Sequence, residues 1–523
     1  MKRNTALHRC EADTIPLNQG GKEEMKRITK HLMTLLLSVV MVIAMGLIVF
    51  AGEITPKTYT LTLTGTVSGH TYEAHQIFTG DLSTNTEGGK VLSNVVWGSG
   101  VTYNGKEKSA ADVAKKLSDG SLSLETLVGQ LTLTKVAKTT NSSENGNATV
   151  IDGLTAGYYL VKDKDGSQAN KSDAYTKFIV QVVGDTTAAI KSDVPTVTKK
   201  VKDTNDSTGT TSEWQDSADA DINDNVQYQI TGTMPDNIAN YKTYKYTFTD
   251  TMSKGLTYTA KNATIAIGDK DVTSSFTEAV TTKEDGSTVV TWTCDNLKGI
   301  EGVTVEASTN VVVTYSAKLN DNAVLGSAGN PNTVNLTYSN NPNKGGEGET
   351  GKTPDDKNIV FTYKVVANKV DQDKKSLAGA AFKLEKKASD GTYTMVKEFT
   401  AGTETSFEFK GLDDGDYKLT ETTTPAGYNT ITPVEFTISA THDTTADEPK
   451  LISLSGNATT GEAAFTANTT DGSLTTDIVN KKGSTLPSTG GRGTTMIYII
   501  GAALVVMAGV VLAMRKKMSS KES

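Results

Sequence analysis

Between residues 59 and 479 the chain alternates apolar and polar positions in short runs rich in Val, Thr, Tyr and Ile, broken by clusters of Gly, Asn and Asp. Alternation turns successive side chains to opposite faces of an extended strand, so this pattern predicts half-buried strands of antiparallel sandwiches. Helical spacing is sparse. Its best stretch is 109–117, with a continuation through 127.

Only the two ends are continuously apolar. Residues 32–51 follow Lys22, Lys26, Arg27 and Lys30 and close on the small residues of an export-signal cleavage site, so the mature chain is expected to begin near Gly52. Met25 opens such a signal by itself, which leaves 1–24 as an upstream extension or a misassigned start. At the other end, residues 496–514 would form a helix of roughly 28 Å, long enough to cross a bilayer core. Arg515, Lys516 and Lys517 follow it and hold the tail on the cytoplasmic side.

A chain of 523 residues exceeds one core. Turn-rich sequence near 193–195 and a Gly-, Asn- and charge-rich stretch at 340–357 divide it into a signal segment (1–51), three domains (52–193, 194–345 and 358–482), a linker (346–357) and a C-terminal segment (483–523).

The formal charge of −8 disfavours a nucleic-acid partner. Once the signal is removed Cys294 stands alone, so no internal disulfide can form. His70 and His75 are close in sequence but have no evident carboxylate or cysteine companions, so no metal site is expected. There is no phosphate loop, nucleophile elbow or metalloprotease motif, and neither a cofactor nor enzymatic turnover is expected.

The strand parities hold one anomaly. Phe361, Tyr363, Val365 and Ala367 share a face with Lys369; Tyr417 and Leu419 share one with Glu421; Leu474 and Ile478 share one with Asn480. A lysine, an acid and an amide therefore point into one core. Desolvation favours the neutral amine and the protonated acid, and a neutral amine can attack a carboxamide to leave a Lys369–Asn480 isopeptide bond, with Glu421 moving the protons. The second domain repeats the pattern with Lys199 beside Val197 and Val201, Asp250 beside Phe248, and Asn332 beside Val334 and Leu336. Parity selects Lys199 over Lys200 and leaves Asn340 as a fallback acceptor. The bland reading is a lysine that snorkels or simply pairs with the acid.

Leu486-Pro487-Ser488-Thr489-Gly490, followed by the apolar span and the basic tail, resembles the LPXTG sorting signal of Gram-positive surface proteins. The resemblance implies that a sortase cleaves between Thr489 and Gly490 and passes Thr489 to an amine. Asn368-Lys369-Val370-Asp371, the segment around Glu421, and Pro425-Ala426-Gly427-Tyr428 resemble a collagen-adhesin B-type domain and its E-box. The strand at 195–201 with 244–256 resembles an A-type isopeptide domain. Together with 72–82 they resemble the backbone subunits of sortase-assembled pili. The resemblance implies an all-β fold of three tandem immunoglobulin-like (collagen-adhesin-type) β-sandwich domains between a cleaved signal helix and a C-terminal transmembrane helix.

The same resemblance implies a shaft subunit whose lysine near the first domain boundary accepts the next subunit's Thr489. Lys191 is that lysine, with Lys177 second, although the family's usual motif around it is absent. Residues 153–163 resemble an E-box in which Lys162 replaces the glutamate, so no bond is expected in the first domain. The implied partners are sortase, identical subunits, minor pilins, peptidoglycan and host or co-aggregating cell-surface ligands, at a wall-anchored surface pilus. A minor or basal pilin, a wall-anchored adhesin and a wall-displayed enzyme are the alternatives.

Overall fold

The computed structural model describes residues 56–143, 147–168, 170, 172–190, 193–483 and 492–519. The export signal, Lys191 and the pentapeptide 486–490 lie outside the described residues.

In the first domain Thr58–Thr64 runs between Ala148–Thr155 and Thr186–Ala189, and Thr71–Thr84 lies between Lys90–Trp97 and Gly157–Asp163 in a second sheet. Alternate residues of these strands, Leu61, Leu63, Tyr72 and Ala74, fill the space between the sheets. The helical prediction needs one correction. Helix Ala110–Ser118 is capped by the Ser109 side chain and stops at Asp119, because Gly120 takes φ +76 and turns the chain out of the helix. A separate helix, Leu124–Gly129, restarts from a Ser123 cap.

The second domain is a sandwich. Val197–Val201, Asn225–Gly232 and Val311–Leu319 are neighbours in one sheet; Asp356–Phe361, Asn330–Ser339, Tyr246–Met252 and Thr288–Cys294 are neighbours in the other. Their inward positions are strongly aromatic, with Tyr228, Tyr315, Tyr246, Phe248 and Trp292 buried together. In the third domain Tyr363–Asp371 pairs in parallel with Ser473–Asn480, so the first and last strands of the domain are hydrogen-bonded neighbours. The facing sheet holds Ala381–Lys387, Gly415–Thr423 and Val434–His442.

The expected linker at 346–357 is not free chain. Thr350–Lys352 pairs with Asn330–Ser339, and Asp356–Phe361 completes the same sheet. This last strand serves two cores: Val360 packs into the second domain, while Ile359 and Phe361 pack into the third. Its polar approach masked it, since only its final three residues are apolar.

At the C-terminus, helix Arg492–Ser519 includes the segment Met496–Met518, which is long and apolar enough to cross a membrane.

Candidate cross-link sites

In the third domain Lys369 and Asn480 are fully buried and Glu421 is almost so. The parallel register sets Lys369 opposite Ile478 and Asp371 opposite Asn480, which places the lysine and the asparagine on one inward face, two residues out of step. Glu421 reaches them from the facing sheet. Asn480 Nδ2 donates to Glu421 Oε1 at 2.9 Å and to Oε2 at 3.2 Å, and Asn480 Oδ1 has no hydrogen-bond partner. Glu421 Oε2 also accepts from the Ile431 amide at 3.1 Å and from Thr424 Oγ1 at 3.2 Å. Lys369 Nζ donates to the Ile478 carbonyl at 2.9 Å and to that of Val370 at 3.2 Å. Burial, only partly offset by Glu421 and Asp371, brings the Lys369 ammonium down to about 8.

The second-domain set is buried completely: Lys199, Asp250 and Asn332 are each 0% exposed. Lys199 rises from one sheet, and Asp250 and Asn332 face it from the other. Lys199 Nζ donates to Asp250 Oδ1 at 2.8 Å and to the Tyr315 hydroxyl at 2.6 Å. Asn332 Nδ2 donates to the same hydroxyl at 2.8 Å, and the hydroxyl in turn donates to Asp250 Oδ2. Tyr228 and Tyr315 enclose the ammonium, each ring centroid 5.1 Å away. Desolvation lowers the Lys199 ammonium from its usual value against the pull of Asp250, and it raises the Tyr315 phenol. Lys200 lies on the opposite face, where it pairs with Asp216 at 2.5 Å.

Tyr315 was not singled out from the sequence. Its signal was present, since Val311, Val313, Tyr315, Ala317 and Leu319 form a single inward stripe with one hydroxyl in it. Asn358 was missed as well, because the expected boundary at 357/358 cuts through its strand and assigns Asn358 to the third domain. It is fully buried opposite Asn332, and neither of its side-chain polar atoms is hydrogen-bonded.

Both fallback residues are engaged elsewhere. Asn340 donates to the Asp173 carbonyl at 3.1 Å and accepts from the Tyr175 amide at 2.9 Å, far along its strand from Lys199. Lys177, the second choice for the linking lysine, is 3% exposed and donates to the Pro342 carbonyl at 2.6 Å; burial lowers its ammonium to about 8. These contacts join the first and second domains.

Lys162, at the E-box position of the first domain, lies 3.7 Å from Glu73 and 3.8 Å from Asp165. The histidines do have carboxylate companions, contrary to the expectation above. His70 Nδ1 meets Asp163 at 2.7 Å because the strand register puts Tyr72 opposite Asp163, and His75 meets Glu73 at 3.3 Å.

Three family models match the chain: the Gram-positive pilin backbone subunit 2 Cna-B-like domain over 222–342, a prealbumin-like fold domain over 363–450, and the LPXTG cell wall anchor motif over 478–521. They define a wall-anchored Gram-positive surface protein built on pilin backbone domains. The chain is 27% identical over 398 residues to the trypsin-resistant surface T6 protein of Streptococcus pyogenes serotype M6, covering 63% of this chain and 70% of that protein. The solved T6 backbone pilin of serotype M6 Streptococcus pyogenes aligns with TM-score 0.48 and 19% identity over 83% of this chain and 100% of that one. The major pilin SpaD of Corynebacterium diphtheriae aligns with TM-score 0.45 and 19% identity over 82% and 98%. The family models and the sequence match to the T6 protein make the chain a homologue of Gram-positive backbone pilins, a group of structural sortase substrates rather than enzymes.

Proposed function

We propose that this protein is the shaft subunit of a covalently assembled pilus, in which sortase joins Thr489 of one copy to Lys191 of the next and internal Lys–Asn amides brace each copy. The observation that carries this reading is the burial of a complete lysine, acid and asparagine set between the sheets of two successive domains.

In the third domain the neutral Lys369 Nζ attacks Cγ of Asn480. The Nζ–Cγ bond forms, the Cγ–Nδ2 bond breaks, and ammonia leaves with the proton given up by the amine. Glu421 already holds Nδ2, the leaving nitrogen, and relays to it the proton that the attacking amine gives up. In the second domain Lys199 attacks Asn332 in the same way. There Asp250 contacts the amine directly and reaches the leaving nitrogen through the Tyr315 hydroxyl. Each reaction happens once per chain, so both acids act in a single turnover.

Sortase and peptidoglycan are the partners that the anchor requires; minor pilins and host or co-aggregating cell-surface ligands complete the reading. The test is a wall extract from cells expressing the protein, resolved by size under denaturing conditions. A ladder of multimers supports the shaft, and monomer alone on the wall refutes it.

A further inference from the structure

The second and third domains share the strand Asp356–Phe361, and the side chains around its end are acidic. Asp219, whose strand Ser217–Asp219 runs parallel to it, lies opposite Phe361. Asp413 and Asp414 come from the third domain, just after Ser406–Leu412. One oxygen from each of Asp219, Asp413 and Asp414 falls within 4.8 Å of the others. Asp219 is 4% exposed and Asp413 is fully buried.

Much of the surrounding charge is already matched. Lys386 Nζ bridges Asp206 at 3.1 Å, Asp221 at 2.6 Å and the Oδ1 atom of Asp413. Asn205 Nδ2 donates to Asp414 Oδ1 at 2.6 Å. His442 is engaged on both nitrogens, by Ser217 at 2.7 Å and Asp203 at 3.3 Å.

What is left over points inward. Asp219 Oδ2 and Asp413 Oδ2 are buried and accept no hydrogen bond. The Tyr363 hydroxyl, on a side chain that is fully buried, borders Asp219 and also lacks a hydrogen bond of regular geometry. Unpaired carboxylate oxygens enclosed together are costly, and one lysine cannot neutralise all of them. A cleft of about 1070 Å³ is lined in part by Asp206, Asp221, Asp224 and Lys386, the lysine that also bridges to Asp413.

We propose that Asp219, Asp413 and Asp414 bind a hard divalent cation of the calcium type, which clamps the second domain to the third. The donors are all oxygen, which suits calcium over zinc. Oxygen donors gathered from separate elements suit the flexible coordination of calcium, with its 6–8 ligands, better than the strict octahedron of magnesium. Histidine spacing gives no sign of such a site, because its members come from different domains and meet only in the fold.

The test is titration calorimetry of the whole mature ectodomain with calcium chloride, with magnesium and manganese chloride in parallel. The expected result is one calcium ion per chain, with a dissociation constant at or below about 10⁻³ M, as in extracellular modules. Asp219→Asn should weaken binding at least tenfold, whereas Asp295→Asn, at an acid 86% exposed elsewhere, should leave it unchanged. Should Asp219→Asn fail to fold, terbium emission excited through Tyr363 in the wild type, and its loss on adding calcium, gives the same answer. No binding of any of the three cations at millimolar concentration, undiminished calcium affinity in folded Asp219→Asn, or absence of terbium emission from the wild type would overturn the site.

Discussion

Asn480 turns its amide nitrogen onto both carboxylate oxygens of Glu421, at 2.9 and 3.2 Å, and leaves its own carbonyl oxygen without a hydrogen bond. The acid therefore grips the leaving group of the proposed reaction, while the buried amine of Lys369 stands on the neighbouring strand. A pairing made only for stability would be expected to bring the ammonium to the carboxylate, yet Lys369 Nζ is hydrogen-bonded to two backbone carbonyls instead.

The second domain inserts Tyr315 between acid and amide, and this makes the phenol testable. Tyr315→Phe keeps the ring beside Lys199 but removes the hydroxyl that links Asn332 to Asp250. Bond formation in the second domain should slow by roughly 10²-fold or more, the scale of one lost proton-transfer group. The third-domain bond should form as before. Tryptic mapping of the freshly made variant, followed over time, reads both.

The Lys369 ammonium, brought down to about 8, gives the third-domain reaction a pH dependence. The attacking form is the neutral amine, which is the minor species below that value and the major one above it. Protein synthesised and folded in vitro should therefore form this bond faster as pH rises, by roughly tenfold per unit from 6 towards 8, and level off above. Mass measured against time at each pH checks the slope. A rate that did not rise with pH would contradict attack by the neutral amine.

Removing the nucleophile should cost stability. A cross-link between the first and last strands closes a loop of about a hundred residues, which corresponds to roughly 4 to 5 kcal/mol in the chain-entropy treatment of disulfides. Lys369→Ala also opens a small void in the core. The variant's third domain should unfold at markedly lower temperature and become susceptible to trypsin. Glu421→Gln, which keeps the volume and the lysine, separates loss of the bond from loss of packing.

Polymerisation is tested at the junction. Arginine in place of Lys191 stays protonated and cannot attack a thioester. Cells expressing Lys191→Arg should carry monomers on the wall through Thr489 and show no ladder. A ladder that persists would remove Lys191 from the account. Lys177 is a poor substitute, since its ammonium is buried against Pro342.

How much of this was legible in the sequence depended on whether the signal was periodic. Lys369, Glu421 and Asn480 stood on stripes of alternate apolar residues, so parity alone turned them inward; the same holds for Lys199, Asp250 and Asn332. Asp356–Phe361 was cut at 357/358 because Gly, Pro and charge before it imitate a linker, so Asn358 was assigned to the third domain and its place opposite Asn332 was missed. The Asp163 partner of His70 and the Asp219 to Asp413 approach depend on register and on domain docking, which no local pattern encodes. The helix ending at Ser118 was extended too far because apolar spacing continued past Gly120, whose backbone conformation breaks it.

The central claim, two internal Lys–Asn bonds in one chain, is tested most directly by the intact mass of the mature recombinant ectodomain. Each bond expels one ammonia, about 17 Da, because a carboxamide nitrogen is replaced by the lysine nitrogen. The account predicts a mass below that of the sequence by two ammonias, with fragments locating one link at Lys199–Asn332 and the other at Lys369–Asn480. A link from Lys199 to Asn358 would move the second-domain acceptor while leaving the claim intact. A wild-type mass equal to that of the unmodified sequence would contradict it.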